Sequence, residues 1–315
     1  LTAINDKIGV SENREDLLEE YVFFFRKIFE DKLLDVLDDN FKVLVDTANG
    51  ATSAVAPKVF KALGIKYDVI NNTPDGININ QNCGSTHIEN LAKKVVEEGY
   101  SLGVAYDGDG DRCLCVDEKG NIMDGDIILA IVSDYLKKEG KLKNNTIVAT
   151  VMSNLGLKKY CKDNDMQFVQ TNVGDRYVLE NMLENGYNLG GEQSGHIIFL
   201  DYNPTGDGIL TSLMLIEILL KSKKKASELA SKITIYPQVL VNAKVPSDKK
   251  YAYKEDEVIK AAIEKIEEEF SGNGRVLIRP SGTEPLVRVM IEGENQEILD
   301  QRAHELAKLI EERLK

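Results

Sequence analysis

The chain has 315 residues, 43% of them hydrophobic, which is enough for two or three domains that each bury a core. Its 52 acidic side chains outnumber 39 basic ones, and the formal net charge of -13 argues against a nucleic-acid partner, because phosphate backbones are gripped by clustered Lys and Arg. The longest apolar run, "GILTSLMLIEILL" at 208–220, is interrupted by Glu217 and too short to span a bilayer, and no charged-then-apolar leader opens the sequence. A cytoplasmic protein without a membrane partner is therefore expected.

In chain order, the first forty residues read as helical, with "REDLLEEYVFFFRKIFEDKLLDVL" repeating apolar residues at intervals of three and four. "FKVLVDTANGATSAVAPKVFKALGIKYDVI" predicts a strand, a glycine turn, a helix and a strand. "YSLGVAYDGDGDRCLCVDEKGNIM" adds a strand, an acidic loop and a further strand. The pattern then restarts: helix "GDIILAIVSDYLKKEG", strand "NTIVATVM", helix "NLGLKKYCKDN", strand "QFVQT", helix "RYVLENMLEN", strand pair "YNLGGEQSGHIIFL", helix "GDGILTSLMLIEILLK". From about Tyr236 the order becomes strand, helix, two strands and a last helix. The expected class is α/β: two similar domains with mixed sheets covered by helices, at 1–121 and 122–235, and a small C-terminal α+β domain at 236–315. Cys83, Cys113, Cys115 and Cys161 lack the paired spacing of a zinc site, and the alternation of Cys113 and Cys115 in an apolar run suggests buried strand thiols.

The chemistry concentrates in loops. "DGDGDR" sets Asp107, Asp109 and Asp111 at alternate positions, where extended backbone projects their oxygens to one side and glycine permits a tight path. Three like charges that close call for a cation, and hard oxygen donors suit Mg²⁺. A calcium loop fits poorly, since Arg112 stands where that loop needs glycine. A guanidinium beside a metal cluster is tolerable when an anion is shared between them, so Arg112 points to a phosphoryl group.

Only nine of the 39 basic residues are arginines, and four, Arg112, Arg176, Arg279 and Arg288, lie in or just after compact loops. "RPSGTEPLVR" offers Arg279, the hydroxyls of Ser281 and Thr283, the amides around Gly282, and then Arg288, a set able to wrap an anion. "GGEQSGH" places Glu192, Ser194 and His196 together as partners for sugar hydroxyls, with His196 equally readable as a satisfied structural residue. Asp175 falls at a helix start, where capping alone would account for it, and Arg176 beside it is a candidate substrate contact. "DTANGATS" reads as a structural strand-to-helix turn, and His87 and His304 carry no functional expectation.

With these motifs in this order and spacing, the sequence resembles the α-D-phosphohexomutase superfamily over nearly its whole length. "TVMSNLGL", "VGDRYVLE" and Gln193 in the sugar loop look most like the phosphoglucosamine mutase branch. The resemblance implies an isomerase that moves a phosphoryl group between the 1 and 6 positions of a hexose phosphate, through a phosphoserine enzyme and a bisphosphorylated sugar. It implies Mg²⁺ on Asp107, Asp109 and Asp111, with Arg112 steadying the transferred phosphoryl. Glu192 and Ser194 would hold the sugar, and Arg279, Ser281, Gly282, Thr283 and Arg288 the phosphate that is not reacting. The superfamily's nucleophile lies in a Ser-His-Asn-Pro type motif of a first domain. No such motif occurs here, which leads to the expectation of a fragment that lacks that domain and is inactive by itself. The expected partner is an amino-sugar or other hexose phosphate, with a homodimer allowed. Mannose or glucose phosphate, or a non-catalytic sugar-phosphate binding role, are the alternatives.

Overall fold

The computed structural model describes residue 9, residues 12–270 and residues 272–315. Their contacts divide the chain into two compact units: Leu1–Val151 with Val169–Lys232, and Met152–Phe168 with Ile233–Lys315.

The first unit begins with α1, Asp16–Leu34, shorter than the helical reading of the first forty residues; residues 1–8, 10 and 11 lie outside the described set. Its buried positions, Val22, Phe25, Phe29 and Leu33, fall on one stripe at helical spacing. The first sheet joins β1 (Lys42–Asp46), β2 (Lys66–Ile70), β3 (Leu102–Tyr106), β4 (Cys113–Asp117) and β5 (Ile122–Met123) in the order β2-β1-β3-β4-β5. β1 runs parallel to β2 and β3, whereas β3–β4 and β4–β5 are antiparallel, so the sheet is mixed as expected. Helices α2 (Thr52–Ala62) and α3 (Glu89–Glu98) accompany it. The sequence reading missed α3, a short helix that buries Leu91 and Val95 on one face. All four cysteines are free and buried.

The second sheet of this unit contains β6 (Thr146–Thr150), β7 (Gln167–Thr171), β8 (Leu189–Gly191) and β9 (Ile197–Phe199), in the order β7-β6-β8-β9. Helices α4 (Gly125–Lys138) and α6 (Asp175–Asn185) pack on it, whereas α7 (Gly208–Ser222) packs against β3 and β4 of the first sheet, α1 and α4. In α7 every residue from 208 to 220 is buried, so the long apolar run is a central helix covered all round. Glu217, the charge that interrupts the run, is 1% exposed and accepts from Lys221 Nζ at 2.7 Å, Tyr135 Oη at 2.9 Å and Lys32 Nζ at 3.4 Å. A short helix α8, Ala226–Ala230, follows, with the Ser227 hydroxyl donating to Glu118 at 2.5 Å.

The second unit has β10 (Gln238–Lys244), β11 (Arg275–Pro280) and β12 (Leu286–Glu292) in an antiparallel sheet of order β10-β12-β11, with α9 (Glu257–Glu269) and α10 (Gln296–Arg313). β10, β12, α9 and α10 together bury Val239, Ala243, Ile259, Val289, Leu299, Leu306 and Ile310 in a separate core. The excursion Met152–Phe168, which carries α5 (Leu155–Asp163), clusters here although its sequence neighbours are strands of the first unit. Asn154, which donates to the Tyr236 carbonyl and accepts the Tyr236 N–H, both at 3.0 Å, and the buried Glu292 make the attachment. Glu292 is 0% exposed, accepts from Arg275 Nε at 2.5 Å and Gln238 Nε2 at 2.8 Å, and also accepts the Leu155 N–H at 2.9 Å. Arg275 in turn donates to the Ser153 carbonyl at 2.5 Å.

Removing one member of a buried ion pair costs about 3–5 kcal/mol. Glu292→Ala should therefore lower the urea stability of the second unit on that scale and speed amide exchange at the start of α5. Unchanged exchange at Leu155 and Gly156 would show that Glu292 does not secure the excursion.

Candidate active site

The acidic loop, residues 107–112, joins β3 to β4 as a hairpin whose shape is fixed largely by groups outside it. Within the loop, Asp107 Oδ1 accepts the N–H groups of Gly110 and Arg112 at 3.1 and 3.2 Å. From outside, the Gly108 carbonyl accepts the Ala51 N–H at 2.9 Å, and the Gly110 carbonyl accepts the N–H of Gly208, first residue of α7, at 2.9 Å. The turn "DTANGATS" presses against this loop. A Cβ on Gly50 would sit 2.4 Å from the Gly108 oxygen, so only glycine permits that approach. Two consecutive residues of the turn, Ala48 (φ 54°) and Asn49 (φ 49°), are left-handed, a conformation that costs energy outside glycine. It is held by the Asn80 N–H on the Ala48 carbonyl at 2.9 Å and by the Asn49 N–H on the Asn71 carbonyl at 2.6 Å.

The sugar loop, residues 191–196, is the β8–β9 hairpin, and it is bonded directly to the acidic one. The Cys113 N–H donates to the Gly195 carbonyl at 3.1 Å, and Arg112 bridges to His196 through the backbone. His196 is 4% exposed. Its Nε2 accepts the Gly206 N–H at 3.0 Å, which places the ring proton on Nδ1, 3.0 Å from Asp111 Oδ2. Of the two readings of His196, this geometry supports the structural one: both nitrogens are engaged, and its partner is an aspartate of the acidic loop. Glu192 Oε1 accepts the Gly174 N–H at 3.1 Å and Glu192 Oε2 accepts from the Ser194 hydroxyl at 3.4 Å. Gln193 Nε2 donates to Asp124 Oδ2 at 3.2 Å, and the Gln193 carbonyl accepts the Gly125 N–H at 2.9 Å.

Asp107, Asp111, Arg112, Glu192, Ser194 and His196 are thus carried by two interlocked hairpins. Asp109 is exposed, and among the described residues no three His, Cys, Asp or Glu side chains form a ready metal cage. Burial, together with the neighbouring Asp111 carboxylate, pushes the Asp107 carboxyl above its usual range. Arg112 Nε, 4.0 Å from Asp107 Oδ2, is buried without a hydrogen-bond partner. Asp175 is the exposed first residue of α6, directly after the Gly174 that Glu192 holds. Arg176, with an 80% exposed side chain, pairs with Glu180 at 2.7 Å on the surface of the same helix.

In the second unit, Arg279 on β11 and Arg288 on β12 are cross-strand partners. Like charges directly opposite destabilise a sheet unless an anion lies between them. Ser281 is 5% exposed, its N–H closes the hairpin onto the Leu286 carbonyl at 3.0 Å, and its hydroxyl accepts the Glu284 N–H at 3.2 Å. Gly282 and Thr283 are exposed at the tip, with nothing within 4 Å of a Cβ built on Gly282. Sequence reading missed Gly50, Asp124 and the buried Lys250 beneath this hairpin. A tight glycine turn and a lysine in "SDKKY" carry no signal of which distant loop they meet.

The fold is that of solved α-D-phosphohexomutases. Aspergillus fumigatus N-acetylphosphoglucosamine mutase, solved in complex with GlcNAc-6P and magnesium, superposes with a TM-score of 0.75 at 20% identity, over 93% of this chain and 66% of that one. The same fungal enzyme solved with glucose 1,6-bisphosphate gives 0.73 at 20% identity, over 95% and 65%. The chain belongs to the phosphoglucomutase/phosphomannomutase family: the models of its α/β/α domain II, α/β/α domain III and C-terminal domain match residues 19–120, 124–236 and 240–309. Phosphoglucosamine mutase of Acetivibrio thermocellus is 57% identical over 98% of the chain. The chain spans 68% of that relative's length and less than two thirds of the Aspergillus chains.

Overpacking a tight contact costs about 1–3 kcal/mol. Gly50→Ala should destabilise the first unit by that amount and raise amide exchange at Gly108 and Gly110, because the added methyl must displace the acidic loop. A variant with wild-type exchange there would show that the turn does not position it.

Proposed function

We propose that this chain carries the metal-, sugar- and phosphate-binding segments of a phosphoglucosamine mutase, which interconverts glucosamine 6-phosphate and glucosamine 1-phosphate through a bisphosphorylated sugar. The observation that carries the proposal is the direct bonding of the acidic hairpin to the sugar hairpin, through Asp111–His196 and Cys113–Gly195. Relatives named phosphoglucosamine mutase support the choice of amino sugar. Residues 1–121, 122–235 and 236–315 are proposed as the three domains, in line with the three family-model matches.

Mg²⁺ fits the donor set. Asp107, Asp109 and Asp111 supply hard oxygens, and Asp107 lies partly buried beside the Asp111 carboxylate, where a cation would offset both the burial and the repulsion. When bound, the ion neutralises charge on the phosphoryl group in transit. Arg112 presents a buried, unpartnered Nε to the same group. Phosphoryl transfer spreads charge over the equatorial oxygens, so a fixed guanidinium contributes by position rather than by covalent chemistry. Glu192 and Ser194 orient the sugar hydroxyls, with Glu192 itself anchored by the Gly174 N–H at 3.1 Å. Asp175 and Arg176 are proposed as outer substrate contacts, the latter on exchanging its Glu180 partner for substrate. Arg279, Ser281, Gly282, Thr283 and Arg288 hold the phosphate that is not reacting. The phosphoserine that donates to the sugar has no motif among these 315 residues, and so lies outside the roles assigned here.

His196 enters the proposal as a positioning residue for Asp111. Loss of a partner that orients a metal-binding side chain lowers metal affinity by about 10–100-fold. His196→Ala should therefore weaken Mg²⁺ binding, measured by calorimetry, within that range; unchanged affinity would remove His196 from the site. The reading as a whole is tested by titrating glucosamine 6-phosphate and mannose 6-phosphate into the protein with Mg²⁺ present. Selective binding of the amino sugar is expected, with Arg279→Ala weakening it by about 1.5–3 kcal/mol, the scale of a charge-assisted hydrogen bond. Equal binding of both sugars would favour the mannose or glucose phosphate alternative, and an Arg279→Ala variant of wild-type affinity would overturn the role of that turn.

A further inference from the structure

Lys250 lies in the connection between β10 and α9 and is only 9% exposed. Its ammonium donates to the Ser281 carbonyl and, at 3.3 Å, to the Glu284 carbonyl, the first and fourth residues of the turn between β11 and β12. Among the described residues it has no carboxylate within ion-pair distance. An ammonium buried without a counter-ion is costly, and two carbonyl dipoles compensate for it only in part. What remains is a positive charge directly beneath a turn already flanked by Arg279 and Arg288. Among the described residues, the only carboxylate paired with either arginine is Glu284, an exposed residue 3.6 Å from Arg288.

The contact also sets the direction of the backbone. A trans peptide is planar, with C=O and N–H opposed. Pinning the Ser281 carbonyl to Lys250 therefore turns the Gly282 N–H away from the lysine. Among the described residues the Gly282 and Thr283 N–H groups reach no protein acceptor, whereas those of Ser281 and Glu284 are spent inside the turn. Glu284 is followed by Pro285, which has no N–H to orient. The turn thus has its carbonyls tied on one side and two free donors at its tip, the polarity of an anion nest.

We infer that Lys250 is a positioning residue for a phosphate monoester: it holds the turn with the Gly282 and Thr283 N–H groups presented, and adds a third positive charge from below. The inference rests on the reading of this turn as the phosphate grip, and the test separates the two. Inorganic phosphate and glucosamine 6-phosphate are titrated into wild-type chain, Arg279→Ala, Lys250→Met and Lys250→Arg, following the Gly282 and Thr283 amide resonances. Arg279→Ala and Lys250→Met should each weaken phosphate about tenfold, and Lys250→Met should also flatten the salt dependence, with Lys250→Arg recovering much of both. Weakening by Arg279→Ala with wild-type behaviour of Lys250→Met would overturn the role of Lys250 and leave the phosphate grip standing. Failure of wild-type chain to bind phosphate, or an Arg279→Ala variant that binds as wild type, would overturn both. Should Lys250→Met not fold, the ¹⁵Nζ resonance of Lys250 in wild-type protein decides: a shift on phosphate saturation supports the inference, and a stationary resonance refutes it.

Discussion

Like charges do not organise themselves, and the structure around the acidic hairpin answers that constraint. Asp107, Asp109 and Asp111 repel one another, and within the loop only Asp107 shapes the backbone, by accepting the Gly110 and Arg112 N–H groups. The rest of its backbone is held from outside, by the Ala51 N–H on Gly108, the Gly208 N–H on Gly110 and the Gly195 carbonyl on Cys113. These contacts come from the β1–α2 turn, the start of the buried helix α7 and the β8–β9 hairpin. The central helix therefore has a second role besides filling the core: its first N–H holds the loop on which the chemistry depends.

The second unit meets the same constraint with opposite sign. Arg279 and Arg288 face each other across two strands, with Lys250 buried below the turn that joins them. Antiparallel pairing enforces this proximity, since the register that places Val287 and Val289 in the core leaves Arg288 no other row. A cluster of cations that the hydrophobic core makes unavoidable is a site whose energy falls when an anion arrives.

Much of this was legible in the sequence because the chemistry sits in short loops between strongly patterned elements. Alternating aspartates, the glycine-flanked "GGEQSGH" and the arginines around "PSGTE" each announce a local geometry. What escaped was the set of residues that act at a distance. Gly50 looks like any turn glycine until Gly108 is seen against it, and Lys250 looks like a solvated charge until its burial is known. Helix α3 was missed although Leu91 and Val95 stand one turn apart on one face of an otherwise polar segment, so its signal was present but short. The attachment of α5 to the C-terminal unit uses Glu292, 137 residues away, and Tyr236, pairings that no local pattern encodes.

In the proposed site His196 would act without touching a ligand. The Gly206 N–H occupies Nε2 and so forces the proton onto Nδ1, where it points at Asp111. A neutral donor in that place orients the carboxylate and leaves it its negative charge, as its proposed role toward a metal requires. A lysine or arginine there would neutralise Asp111 and compete with the cation. An alanine would leave its rotamer free. Imidazole, buried and locked in one tautomer by a backbone amide, satisfies both demands, and the same contact ties the sugar hairpin to the acidic hairpin so that neither can shift alone.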